Sequence, residues 1–160
     1  GVICPETGVL FQNRGAGFSL SPGPNCLAPG KKPFHTLNPA MAVMNDGRIV
    51  SYGTMGGEGQ PQTQAAIFAR YAFHGVDLQR AISAPRWLLG KTWGDDTTSL
   101  KLESSFDAKL INELREANHQ VEIVSENNSL MGHAGSVVSH PDGRVEAASD
   151  ARSDGIALAG

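Results

Sequence analysis

The apolar positions of this chain change their spacing several times, and each change marks an element. Ala40 to Met44 and Arg48 to Tyr52 flank Asn45-Asp46-Gly47 and predict a β-hairpin. From Pro61 the spacing becomes helical, with Ala65, Ala69 and Ala72, and Phe68 alongside, as the buried stripe of a helix that ends near Gly75. Asp77 caps a short second helix through Ile82, stopped by Ala84-Pro85. Leu88-Leu89 and Ser99 to Glu103 read as strands around an irregular stretch holding Trp93 and Asp95-Asp96. Ser104 or Ser105 caps a third helix with Phe106, Leu110, Leu114 and Ala117 at core spacing. Val121 to Val124 is a strand, and Ala134 to Ser139 with Arg144 to Ala148 form a second hairpin turned by Pro141-Asp142-Gly143.

The two ends are less regular. Glu6 to Asn13 predicts a short buried strand, followed by Arg14-Gly15-Ala16-Gly17, a loop that exposes one arginine among small residues. Ser19 to Pro33 is a long loop rich in Pro, Gly and Ser, and His35-Thr36-Leu37-Asn38-Pro39 is a polar cluster just before a strand. The tail Ser149 to Gly155 alternates acid and base, which fits either a solvated end or an internal knot of ion pairs. Helices and strands come in blocks without strict alternation, so the pattern predicts an α+β layered fold.

One stretch links strand to helix through a cluster of glycines: Tyr52-Gly53-Thr54-Met55-Gly56-Gly57-Glu58-Gly59-Gln60-Pro61. Glycines there let the backbone turn sharply and present bare N–H groups, and the helix start behind them adds unpaired donors and a positive dipole end. Two readings fit: a tight turn without a ligand, or a cradle for a bound anion or a developing oxyanion. A P-loop is excluded, because no lysine lies between Lys32 and Lys91. The spacing G-x-x-G-G-x-G also departs from the dinucleotide fingerprint.

Composition narrows the choice. With 160 residues the chain is expected to form a single domain over 1–160. Its 13 basic and 16 acidic residues, net −3, leave no electrostatic footprint for nucleic acid or an anionic membrane. No apolar run approaches the ~20 residues a membrane helix needs. Cys4 and Cys26 are expected as free thiols, and the five histidines show no metal spacing, so neither metal nor cofactor is predicted. No targeting segment is evident, and the opening Gly1-Val2-Ile3-Cys4-Pro5 reads as part of something longer.

Several segments, in one order, carry a resemblance: Glu6-Thr7-Gly8-Val9-Leu10, Lys31-Lys32-Pro33 with Asn38-Pro39, Gly53 to Gly57, Ala84-Pro85-Arg86, and Ala148-Ser149-Asp150-Ala151-Arg152-Ser153. Together they resemble the small subunit of the gamma-glutamyltranspeptidase family. The resemblance implies an N-terminal-nucleophile hydrolase with an αββα sandwich, made as a precursor that cleaves itself and pairs with a large subunit. It implies a threonine nucleophile at the new N-terminus, upstream of Gly1 and so outside this chain, which is expected to be inert and prone to self-association alone. It places the oxyanion at the N–H groups of Gly56 and Gly57. His35 and Thr36 stand where the family has a serine pair that holds the substrate's α-carboxylate.

Two departures bear on specificity. Aligning Phe18 with the family's Asn-Gln-x-x-Asp-Phe stretch puts Arg14 at the Gln position and Gly17 at the Asp position. A cation replaces part of an ammonium site. The resemblance therefore implies hydrolysis of a small amide that bears a carboxylate, such as oxamate, with Arg14, His35 and Thr36 as substrate contacts. Two alternatives are a true gamma-glutamyl transferase or glutathione hydrolase, and a non-catalytic anion-binding module. Glu58, directly after the glycine pair, either orients a water or nucleophile or stabilises the helix dipole.

Overall fold

The computed structural model describes residues 2–35, 37–90 and 97–158. It divides into two compact units, Gly1–Leu37 and Asn38–Gly160.

In the first unit the backbone is held by short-range bonds. Ile3 and Leu10 form an isolated antiparallel bridge, and Cys4 N–H donates to Val9 O at 3.0 Å around a turn in which Gly8 has φ 69°. The turn falls inside the strand expected over Glu6 to Asn13, so that strand does not form, and Val9, Leu10 and Phe11 stay exposed. A 3-10 turn, Arg14–Gly17, follows. Ser19 bridges Cys26, and Lys31 Nζ donates to the Cys26 carbonyl at 3.0 Å. Both cysteines are free thiols.

The second unit is the α+β body. Strands β1 (Ala40–Val43) and β2 (Ile49–Thr54) form the expected hairpin, closed by Gly47 at φ 86°. Strands β6 (Ala134–Ser139) and β7 (Val145–Ser149) form the other, and β2 pairs with β6 to complete an antiparallel sheet in the order β1-β2-β6-β7. A second sheet runs β3-β4-β5, from Trp87–Leu89, Leu100–Glu103 and Val121–Val124. Strand β4 is antiparallel to β3 and parallel to β5, to which helix α3 (Ala108–Glu116) connects it.

Side chains alternate across the first sheet. Val50, Ala134, Val138 and Ala148 point to one face and meet Ile67 and Tyr71 together with Leu78, Ala81 and Ile82 of helix α2 (Leu78–Ser83). The opposite face carries Met41, Val43, Ile49, Val137 and Val145, all exposed. Helix α1 (Gln60–Phe68) continues through a π-helical turn, Ala69–Phe73, before Gly75 ends it at φ 63°.

Two helix faces differ from the expected stripes. On α1 the buried positions are Gln60, Thr63, Gln64 and Ile67, with Tyr71 beyond, while Ala65 is exposed. The polar ones are inside because distant carbonyls satisfy them: Thr63 Oγ1 donates to Met131 O at 3.0 Å and Gln64 Nε2 to Asn38 O at 2.5 Å. Helix α3 is capped by Asp107, whose carboxylate accepts the Lys109 N–H at 2.7 Å, and buries Ile111 while Leu110 stays exposed.

Candidate active site

Strand β2 ends at Thr54, and the chain then turns through Met55, Gly56 and Gly57 into α1. Gly56 has φ 136° and ψ 24°, and Gly57 has φ 53°. Both lie in the left-handed half of backbone space, where a side chain is strained, which is why the sequence places glycine at both. Gly59 N–H donates to Gly56 O at 2.9 Å and Gln60 Nε2 to Gly57 O at 3.2 Å, closing a 3-10 turn over Gly57–Gly59. Among the described residues the Gly56 and Gly57 N–H groups have no hydrogen-bond acceptor. Two adjacent donors at a helix start therefore remain available to an external oxygen. Glu58 beside them is exposed.

The turn rests on the corner Met131-Gly132 that leads into β6. Met55 N–H donates to His133 O at 3.3 Å. A Cβ on Gly132 would lie 2.4 Å from both Met55 O and Thr54 Oγ1, so the close approach requires glycine there. Beneath this corner lies a cluster of four buried charges that the tail's alternation of acid and base only partly signals. Arg86 Nη1 donates to Met131 O at 2.9 Å and Gly132 O at 3.0 Å, while its Nη2 reaches Ile82 O and the Asp150 carboxylate. Asp150 also accepts the Ala134 N–H at 2.7 Å and Arg152 Nη1 at 3.0 Å. Arg152 Nε donates to Glu103 at 2.7 Å, and Glu103 accepts the backbone N–H groups of Arg86 and Asn128 at 2.8 and 3.0 Å.

Two cations and two anions balance, and hydrogen bonds supply the remaining compensation that buried charges need. Burial alone would raise the Asp150 carboxyl, but the Ala134 and Arg152 N–H groups and the Arg86 guanidinium outweigh it and hold it below the ordinary aspartate value. Burial pulls Arg86 down against the attraction of Asp150, whereas at Arg152 the bonds to Glu103 outweigh burial and raise it. The buried positions of Arg86, Glu103, Asp150 and Arg152 mark this as framework beneath the turn.

The other expected site residues, Arg14, His35 and Thr36, belong by sequence to the first unit. Arg14 opens the 3-10 turn Arg14–Gly17, half-buried, with its backbone N–H donating to Gln12 Oε1 at 2.5 Å. His35 is exposed, and Thr36 lies outside the described residues. No group of three His, Cys, Asp or Glu side chains among the described residues is placed to hold a metal ion. None of the described helices is long and apolar enough to cross a membrane.

The sequence model of the family described as Gamma-glutamyltranspeptidase matches residues 1–160. The chain belongs to the gamma-glutamyltranspeptidase family. It is 58% identical to the oxamate amidohydrolase proenzyme of Klebsiella pneumoniae over 98% of its own length and 30% of that proenzyme. It is 44% identical to the glutathione hydrolase-like YwrD proenzyme of Bacillus subtilis, again over 98% of this chain and 30% of the relative. The chain thus spans under a third of the length of these curated relatives. The solved gamma-glutamyltranspeptidase from Pseudomonas nitroreducens complexed with L-DON aligns at 19% identity with a TM-score of 0.74, covering 99% of this chain and 85% of that one. The α+β architecture is that of the N-terminal-nucleophile hydrolases in this family.

Proposed function

We propose that this chain is most of the small subunit of an amide hydrolase of the gamma-glutamyltranspeptidase family, and that Gly56 and Gly57 form its oxyanion hole. The observation that carries the reading is the pair of adjacent N–H groups, without an acceptor among the described residues, at positive-φ glycines ahead of α1. A threonine hydroxyl, supplied by a segment upstream of this chain, attacks the amide carbonyl while its own α-amine takes the proton. The carbonyl oxygen becomes an oxyanion and receives the two N–H donors. Collapse breaks the C–N bond, the amine or ammonia leaves with a proton, and water hydrolyses the acyl ester to free the threonine. A large subunit of the same precursor completes the sandwich and covers the exposed face of the first sheet.

The substrate we assign is a small amide bearing a carboxylate, with Arg14, His35 and Thr36 as its contacts. Arg14 supplies a charge-assisted donor for the carboxylate, and Gly17 offers no anion for a substrate ammonium. The 58% identity to an oxamate amidohydrolase proenzyme supports this assignment. A second reading, hydrolysis of gamma-glutamyl compounds, is favoured by the 44% identity to a glutathione hydrolase-like proenzyme. Ammonia release from oxamate by the full-length, processed protein tests the proposal. Turnover of oxamate is expected; turnover of gamma-glutamyl compounds alone would give the second reading its place, and turnover of neither would leave an anion-binding module.

A further inference from the structure

The buried charge cluster and the glycine turn meet at the Met131-Gly132 corner, and their contacts run in a definite order. Asp150 binds both Arg86 and the Ala134 N–H, fixing the guanidinium and the start of β6 with one carboxylate. Arg86 Nη1 then grips two successive carbonyls, those of Met131 and Gly132. Thr63 Oγ1, from the first turn of α1, donates to the Met131 carbonyl from a second direction at 3.0 Å. On the other side of the corner, Gly132 presents bare backbone to the turn. A Cβ built on Gly56 would sit 3.5 Å from Gly132 Cα, and one built on Gly132 would collide with Met55 O and Thr54 Oγ1.

A turn made of Gly53, Gly56, Gly57 and Gly59 has little stiffness of its own. An oxyanion hole works only if its donors already point at the developing charge, and misplacement by about 1 Å costs on the order of 100-fold in rate. The stiffness must then come from what the turn rests on. We propose that Thr63, Arg86 and Gly132 are positioning residues that hold the Gly56 and Gly57 N–H groups in line for the reacting carbonyl. This inference rests on the oxyanion reading given above. None of the three touches the substrate in this scheme; each acts through the corner.

The test uses the full-length, processed protein with Thr63→Val, Arg86→Lys and Gly132→Ala, and with Leu78→Ala as a core variant of α2 that makes none of the corner's hydrogen bonds. Single-turnover acylation, kcat, KM and Tm are measured for each. Gly132→Ala and Arg86→Lys are expected to lower the acylation rate by about tenfold or more, and Thr63→Val by about threefold, with KM held within about threefold. Leu78→Ala is expected to lower Tm at least as far while leaving kcat within about twofold, since a cavity in the core costs stability without moving the turn. A kcat that simply tracks Tm across all four variants, or acylation unchanged in Thr63→Val and Gly132→Ala, overturns the inference. Should Arg86→Lys not fold, Thr63→Val decides, because it removes one hydroxyl with almost no change of shape. Replacing Gly57 by glycolic acid, which deletes its N–H, separates the two levels. Unchanged acylation there removes the oxyanion reading itself, whereas a fall there with no effect in the corner variants removes only the positioning role.

Discussion

Arg152 meets Glu103 through two hydrogen bonds, Nε to Oε1 at 2.7 Å and Nη2 to Oε2, with both side chains closed to solvent. The two residues are 49 positions apart, so the bond ties the tail to the end of β4. Removing one partner leaves the other charge buried and uncompensated, at a cost of about 3–5 kcal/mol. Arg152→Met and Glu103→Gln in the whole protein are each expected to lower the denaturant midpoint by a corresponding amount. An unfolding free energy within about 0.5 kcal/mol of wild type, the usual range for surface changes, would show that the cluster does not carry the fold.

Asp150 gives the cluster a pH signature. Its folded carboxyl lies below the ordinary value of 3.8, so the folded state favours the ionised form. A lowered carboxyl contributes stability that is present above the unfolded value and is lost as pH falls through the folded one. Stability should therefore decline with acid below about pH 4. Asp150→Asn, though less stable at neutral pH, should show a shallower acid slope when unfolding free energy is followed from neutral to acid pH. Parallel slopes for the two proteins would contradict the assignment.

Gly59 lies against the second sheet, and a Cβ there would stand 2.7 Å from Leu88 Cδ1. Leu88 is fully buried and cannot swing aside freely. Gly59→Ala is expected to destabilise by about 1–3 kcal/mol through overpacking. Combined with Leu88→Ala it should cost less than the sum of the two single changes, since each relieves the other. Strict additivity in a double-mutant cycle would mean that the contact is absent in solution.

The proposed carboxylate contact makes substrate choice depend on Arg14 and Gly17. Arg14→Gln with Gly17→Asp introduces the residue types that the resemblance implies for an ammonium site. The pair of changes should move kcat/KM away from an oxamate-like amide and towards a gamma-glutamyl anilide by about tenfold or more, roughly 1.4 kcal/mol. If the unmodified enzyme already favours the anilide by that margin, Arg14 does not shape the pocket.

The parts of this fold that could be read along the chain are those with local causes. Asn45-Asp46-Gly47 and Pro141-Asp142-Gly143 each close a hairpin because Gly47 and Gly143, both at φ 86°, supply the turn by themselves. The glycine pair was legible for the same reason, since φ 136° and φ 53° exclude most other residues. The buried face of α1 was not, because Thr63 and Gln64 enter the interior only by bonding to Met131 and Asn38. Alanine spacing pointed elsewhere. The acid and base of the tail hinted at an ion-pair knot, but its partners Arg86 and Glu103 lie 64 and 49 residues away from the tail residues they bind, beyond any local pattern. Gly132 carried no local signal either; only its approach to Met55 and Thr54 explains it.

The proposed mechanism turns on whether the Gly57 N–H receives charge during the reaction. Proline cannot test this cleanly, because Gly57 sits at φ 53° and proline holds φ near −65°. Glycolic acid at position 57 keeps a trans backbone and removes the donor, while weakening Gly56 O as acceptor of the Gly59 N–H. The most direct measurement is the single-turnover acylation rate of the full-length, processed protein with that replacement, using a small carboxylate-bearing amide. We expect the rate to fall by about 100-fold or more with little change in substrate binding. A folded protein that acylates at the wild-type rate would show that the Gly57 N–H is not an oxyanion donor.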